Sequence, residues 1–298
     1  MKILKWIGIV LGGLVLLIAL AAGGMIASTT SRFSKTYDIT PAPLTVAIAD
    51  GDLAVGEHWA EMHCRECHGE DLGGGPFFED PSIGYYDAPN LTSGKGGIGA
   101  TYTDEDWVRA IRHGIKPNGT SVFIMPSENF YYLNDADLAG IIAYVKSVPP
   151  VDREIREPSL KPFAKILYAL GAFGDLLYAE VIEHDVRPSA PAVGVSVEYG
   201  EYLVNSHGCK SCHGEALSGK QPPEPGAPLA PNLTPGGELA AWTDADFIST
   251  MRTGVTPGGT ELDAAYMPWQ GLGKMTDDEL KAVWMYLQAL PALETTTE

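Results

Sequence analysis

A chain of 298 residues, 45% of them hydrophobic and 19% charged, is long enough for two modest cores and too apolar to stay disordered. Its formal charge of −18 excludes a nucleic-acid binder, because phosphate recognition needs clustered Lys and Arg. Four cysteines are too few for a disulfide scaffold, so their spacing has to define their role.

The first element is apolar. Between Lys5 and Arg32 lie 26 consecutive uncharged residues, and the run from Trp6 to Ala27 is long enough at ~1.5 Å per residue to cross a bilayer. It exceeds the usual hydrophobic length of a cleaved leader, so residues 1–35 read as a signal anchor, a single transmembrane helix. Lys2 and Lys5 on the short side place the N-terminus in the cytoplasm and the body outside it, on the periplasmic face of a bacterial inner membrane. Four of the 20 basic residues precede Asp38, leaving 16 against 38 acidic residues, a net −22 for the body. Such a surface predicts attraction to a basic partner and association that weakens with salt.

After the anchor the chain repeats itself. Gly56-Glu57 and Cys64-Arg65-Glu66-Cys67-His68-Gly69-Glu70 return as Gly200-Glu201 and Cys209-Lys210-Ser211-Cys212-His213-Gly214-Glu215. Pro89-Asn90-Leu91-Thr92 returns as Pro231-Asn232-Leu233-Thr234, Thr103-Asp104 as Thr243-Asp244, Arg112-x-Gly114 as Arg252-x-Gly254, and Met125-Pro126 as Met267-Pro268. The division that follows is a first domain at 50–150, a linker at 151–195 and a second domain at 196–298.

Each copy reads as all-α with long loops. Residues 52–64 and 197–209 form helices that run into the cysteines. Thr103 with Asp106, and Thr243 with Asp246, cap helices that reach about His113 and Thr253. The last helix of each copy starts near Asn134 or Thr276 and stops before Pro149 or Pro291. From Gly69 to Thr103, and from Gly214 to Thr243, no periodicity survives, and loops of that length inside a compact domain need something large to wrap around. Gly56 and Gly200 allow close approach of another helix, with Tyr144 and Tyr286 as contacts. In the linker, residues 160–183 read as an amphipathic helix that is buried between the domains or, alternatively, rests on the membrane or a partner subunit. Pro188 and Pro191 form the hinge beyond it.

The cysteines supply the missing object. Two Cys separated by two residues, with His directly after, form the attachment signal for haem c: the thiols make thioethers to the vinyl groups and the imidazole reaches the iron. Tetrahedral zinc built from two Cys pairs spaces them about 15 to 20 residues apart, far closer than Cys64 and Cys209, and a redox dithiol needs a strand–helix context that is absent. Cys64, Cys67, Cys209 and Cys212 are therefore assigned to two covalent haems, with His68 and His213 as proximal ligands.

For the opposite face of each iron, Met125 is the only methionine between His68 and Met251. His113 is its rival, but Thr253 occupies the equivalent place. In the second copy Met251, Met267, Met275 and Met285 compete, and only Met267 shares the position and following proline of Met125. An axial His generally donates its other ring N–H to a carbonyl, and Pro89 and Pro231 are the candidates to accept it. Arg109, Arg112 and Arg252 are candidate propionate partners, against the default of a solvated helix arginine. His58, His63, His184 and His207 read as structural.

These motifs, with Gly97-Ile98-Gly99, Thr103-Asp104-Glu105-Asp106-Trp107 and the closing Tyr144-x-x-Ser147-x-Pro149-Pro150, resemble class I cytochrome c domains. The whole is similar to the membrane-anchored dihaem family related to the cytochrome subunits of bacterial alcohol and other quinoprotein or molybdo-flavoprotein dehydrogenases. The resemblance implies electron transfer without a catalytic side chain, from a membrane-associated or periplasmic dehydrogenase to a downstream cytochrome or oxidase. Two other readings are a dihaem subunit of a cbb-type terminal oxidase and a dihaem peroxidase. A peroxidase needs one iron with an open or displaceable position, which methionine in both copies opposes.

Overall fold

A computed structural model describes residues 2–187, 191–222 and 226–296. Its first helix, α1 (Lys2–Phe33), is long and apolar enough to cross a membrane, and its residues through Ala21 are exposed. From Ala22 onward one stripe of α1 is covered: Ala22, Met25, Ile26, Thr29, Arg32 and Phe33, the spacing of one helix face.

The first module then comprises α2 (Leu53–Trp59), α3 (Arg65–His68), α4 (Asp104–His113), α5 (Ser127–Phe130) and α6 (Asp135–Ser147). A π turn, Ala60–Cys64, joins α2 to α3, so the helix does run unbroken into the cysteines. Between α3 and α4, where no element is predicted, β1 (Gly75–Asp80) and β2 (Gly84–Ala88) pair as an antiparallel hairpin, extended by β3 (Ser159–Leu160) from the linker. The fold is thus mostly α with one small sheet. The strand Gly-Pro-Phe-Phe-Glu-Asp is exposed along most of its length, which erases the alternation that marks a half-buried strand.

The linker holds α7 (Pro162–Ala169), and the second module holds α8 (Val197–Ser206), α9 (Cys209–His213), α10 (Asp244–Thr253), α11 (Trp269–Leu272) and α12 (Asp277–Ala289). Two expectations need correction. The amphipathic helix expected over 160–183 is only eight residues long, because Gly171 (φ 79°) and Gly174 (φ 64°) take the left-handed backbone that ends it; it packs on α1, not between the modules. The helix expected over 197–209 breaks at Gly208 (φ 73°), so the second cysteine segment starts a helix of its own. Of the proposed hinge, Pro188 lies outside the described residues.

Both capping boxes form: Thr103 with Asp106 opens α4 and Thr243 with Asp246 opens α10, while Thr276 with Glu279 opens α12. In each module the helix before the cysteines crosses the last helix at a glycine. A Cβ on Gly56 would collide with the Gly140 carbonyl and lie 2.7 Å from Cβ of Tyr144. One on Gly200 would collide with the Ala282 carbonyl and lie 2.8 Å from Cβ of Tyr286.

The buried apolar residues of both modules make one continuous core. Its middle is an aromatic cluster in which the His207 ring lies 4.6 Å from both Trp59 and His63. Burial depresses His63 to about 4 and His207 well below its ordinary value, so both stay neutral. Contacts across the junction are reciprocal. Asn129 of α5 lies against Gly208 and accepts from Ser211 at 3.2 Å, while Gly271, at the same place in α11, faces the Met62 carbonyl and Lys274 donates to the Glu61 carbonyl at 3.2 Å. Tyr202 donates to the buried carboxylate of Asp137 at 2.5 Å.

One junction contact is pH-sensitive. His58 Nε2 meets Glu279 at 2.9 Å, and that bond raises His58 above its ordinary value. Burial opposes ionisation of Glu279, but the bonds from His58 and Thr276 outweigh it and hold the carboxyl below its ordinary value. The histidine's contribution is complete below its unfolded value of ~6.5 and disappears as pH rises through the raised folded value; the carboxylate's disappears as pH falls through its depressed one. The melting temperature should therefore fall on passing from neutral to alkaline pH more steeply in the native chain than in His58→Gln, measured by calorimetry across that range.

Candidate haem centres

Each cysteine segment forms one short helical turn that places both thiols beside the following histidine. Burial pushes Cys64 and Cys209 up to about 12 and Cys67 to about 11, so the groups stand as neutral thiols, and no disulfide joins them. Past each histidine the chain turns sharply: Leu72 (φ 54°) and Leu217 (φ 57°) sit in left-handed backbone, and their carbonyls accept from Leu91 N at 2.9 Å and Leu233 N at 2.8 Å. These bonds fasten the Pro-Asn-Leu-Thr loop to the cysteine turn.

That loop is stapled on its other side. Asn90 Nδ2 donates to the Val151 carbonyl at 2.7 Å, and Asn90 Oδ1 accepts from both N and Oγ1 of Thr92. The Val151 amide in turn donates to Thr92 Oγ1 at 2.9 Å. In the second module Asn232, Thr234 and Leu293 repeat the pattern, with Asn232 Nδ2 on the Leu293 carbonyl at 2.8 Å. The sequence motif is thus a clamp between the loop and the irregular segment after the last helix, and it holds a proline carbonyl in place. His68 Nδ1 lies 2.8 Å from the Pro89 carbonyl and His213 Nδ1 lies 2.8 Å from the Pro231 carbonyl. With Nδ1 donating, Nε2 of each ring keeps its lone pair, and burial lowers both histidines, which favours the neutral ligand form. Asn90→Ala should cost about 1–3 kcal/mol, since it strips buried hydrogen bonds from Thr92 and Val151; a thermal melt reads the loss, and Asn232→Ala should produce the same loss in the second module.

The methionines arrive by equivalent routes. Helices α4 and α10 end on Gly114 (φ 64°) and Gly254 (φ 70°), and isolated bridges Ile115 to Ser121 and Val255 to Glu261 turn the chain back. Met125 and Met267 then sit in loops packed against the core, and Pro126 and Pro268 share nearly one backbone conformation (ψ 62° and 55°) as they open α5 and α11. Met251 and Met275 are core residues, and Met285 is exposed.

His113 points elsewhere: its Nδ1 lies 3.1 Å from Nδ1 of His184 in the linker. Arg112 is buried, bonded to the Leu133 carbonyl at 2.8 Å and to Asp135 at 3.0 Å; Arg252 pairs with Asp277 at 2.8 Å and also meets the Gly273 carbonyl. These two pairs tie the third helix of each copy, α4 or α10, to the start of its last helix. Arg109 pairs with Glu105 and Asp106 of its own helix, but its side chain is largely buried and its Nε has no hydrogen-bond partner. Residues that sequence reasoning left without a role are the junction set, His58, Trp59, His63, Tyr202 and His207. The available signal was their position within two helical turns of the cysteine segments.

The donor set fits haem: two cysteine thiols per module three residues apart, and an imidazole whose Nδ1 is anchored on a carbonyl while its Nε2 keeps its lone pair. When bound, haem supplies a one-electron redox centre, and the protein supplies covalent retention, orientation and burial. Two α-helical modules with such sites have the make-up of a dihaem c-type cytochrome. Residues 51–145 match the family described as cytochrome c oxidase, cbb3-type, subunit III, and residues 197–291 match cytochrome c. The chain is 29% identical over 279 residues to the alcohol dehydrogenase (quinone) cytochrome c subunit of Gluconobacter oxydans, covering 82% of this chain and 56% of that protein. It is 28% identical over 291 residues to the fructose dehydrogenase cytochrome subunit of Gluconobacter japonicus, covering 90% and 57%. The gluconate 2-dehydrogenase cytochrome c subunit of Pantoea cypripedii is 26% identical over 276 residues, covering 81% and 60%. The chain therefore spans a little over half the length of the curated relatives it matches.

Proposed function

We propose that the protein carries electrons from a membrane-associated or periplasmic dehydrogenase to a downstream cytochrome or oxidase, through two haems ligated by His68 and Met125 and by His213 and Met267. In this reading residues 50–150 and 196–298 are the two haem domains, 151–195 is the linker, and α1 holds both on the periplasmic face of the inner membrane. The observation that supports it best is the twin arrangement of His68 on Pro89 and His213 on Pro231, each at 2.8 Å, with a Met-Pro loop at the same place in each copy. A carbonyl fixes the tautomer and orientation of the proximal imidazole, and a thioether opposite it raises the reduction potential. The relatives named above are cytochrome subunits of dehydrogenases, which favours a sugar, alcohol or sugar-acid dehydrogenase as donor.

The match of residues 51–145 supports a second reading, the dihaem subunit of a cbb-type oxidase. Purification from native membranes separates the two. A stoichiometric dehydrogenase catalytic subunit is expected; a stoichiometric haem–copper subunit in its place overturns the first reading.

A further inference from the structure

We infer that α7, through Phe163, rests in the headgroup layer of the bilayer that α1 crosses, so that the first module is held against the membrane on two elements; this builds on reading α1 as an uncleaved anchor. The register between α1 and α7 carries the inference. Thr29 Oγ1 donates to the Lys165 carbonyl at 2.8 Å, and Lys165 Nζ donates to Thr30 Oγ1 at 2.9 Å. Three residues further along both helices, the Arg32 guanidinium lies 4.9 Å from the Tyr168 ring centroid, and the Phe33 ring lies 5.3 Å from it. Contacts advance in the same direction on the two helices, so they run parallel. The start of α7, Pro162 and Phe163, is therefore level with Ile26 and Ala27, back toward the bilayer.

Length fixes where the bilayer boundary falls. The exposed part of α1 beyond its last N-terminal lysine, Trp6–Ala21, has 16 residues and spans only ~24 Å, whereas a hydrocarbon core is ~30 Å thick and takes about 20 residues. Counting 20 residues from Lys5 brings the far boundary to about Met25, one turn or less from the level of Phe163. The covered stripe of α1 begins inside this span, at Ala22, so protein and lipid share these two turns.

The exposed chemistry at that level suits lipid. Phe163 is 52% exposed although it lies in an apolar helix, and Lys161 and Lys165 flank it, the pattern of an interfacial residue whose basic neighbours reach phosphate. Lys161 also bonds the Pro81 carbonyl at 2.5 Å and donates its backbone N–H to Ile83 at 2.9 Å, which brings the hairpin turn to the same level. Of the acids on the neighbouring hairpin, Asp80 accepts the Ser82 and Ile83 amides and Glu79 pairs with Arg156 at 3.0 Å. Arg32 with Glu180, at 3.1 Å from Nε, pins the end of α1 to the linker, so α7 cannot swing away independently.

The test uses the haem-loaded full chain in phosphatidylcholine–phosphatidylglycerol nanodiscs. With all four cysteines in thioethers, Phe163→Cys carries the single free thiol, labelled with an environment-sensitive fluorophore; Leu14→Cys reports the span and Leu229→Cys the second module. A haem content of two per chain verifies folding. Lipids with a nitroxide near the headgroup should quench the label at 163 about twofold or more, as expected for a group ~5–10 Å into the interface, lipids with a nitroxide deep in the acyl chain should quench the label at 14, and both should leave 229 unchanged. A label at 163 that behaves like 229 while 14 is quenched overturns the lipid contact and leaves the anchor standing, even where the same label is shielded in native membranes by a partner subunit. Quenching at neither 14 nor 163 removes the anchor and the inference together.

Discussion

Met125→Ala should convert one of the two haems, and only one, from low-spin to high-spin. The ferric thioether charge-transfer band should halve, carbon monoxide and cyanide should bind one equivalent per chain, and the affected potential should fall by on the order of 100 mV, part of the ~0.8 V over which axial ligands set haem potentials. Met267→Ala should do the same to the other haem. The prediction discriminates because each rival is already engaged: His113 faces His184 at 3.1 Å, Met251 and Met275 are packed in the core, and Met285 lies on the exposed side of α12. A chain in which Met125→Ala leaves the spectrum intact while His113→Ala changes it would reassign the first ligand. The double variant should behave as two open irons and acquire the peroxide reactivity that two occupied sixth positions block. Optical and magnetic spectra with a potentiometric titration of each variant read all of these outcomes.

What the sequence made legible was whatever repeats. Two copies of each motif paired each histidine with its proline and put Met267 forward as the candidate among four methionines, because an offset near 142 to 145 residues is a constraint that single motifs lack. Capping boxes were legible for the same local reason, a hydroxyl and a carboxylate three residues apart. The hairpin at Gly75–Asp80 and Gly84–Ala88 was hidden because both strands are short and open on Gly, and the first is mostly exposed. The linker helix was overread because apolar residues continue past the point where Gly171 and Gly174 turn the backbone left-handed. The junction was illegible for a deeper reason: His58 with Glu279, or Trp59 with His207, join residues far apart in the chain, at positions where the two copies differ. A repeat reveals what each copy does for itself and conceals what one copy does for the other.

That division of labour sets the expected result at the helix crossings. Gly56→Val and Gly200→Val should each destabilise their own module by about 3 kcal/mol or more, since overpacking a close helix contact moves backbone and not a single side chain. At both glycines the first added carbon already overlaps a carbonyl of the facing helix, and that helix cannot retreat. In the first module it carries Tyr144, whose hydroxyl accepts from Arg65 within the cysteine segment at 2.8 Å, and it continues into Val151, which clamps the Pro89 loop through Asn90 and Thr92. Pushing α2 off α6 therefore loosens the cysteine turn and the carbonyl that orients His68 in one movement. The second module has the same chain of contacts through Ala282, Leu293 and Asn232. Haem content measured after purification should drop from two toward one per chain in either variant, with the surviving haem spectrally normal. Loss of both haems from a single substitution would instead mean that the shared core folds as one cooperative unit, with Trp59, His63 and His207 at its centre.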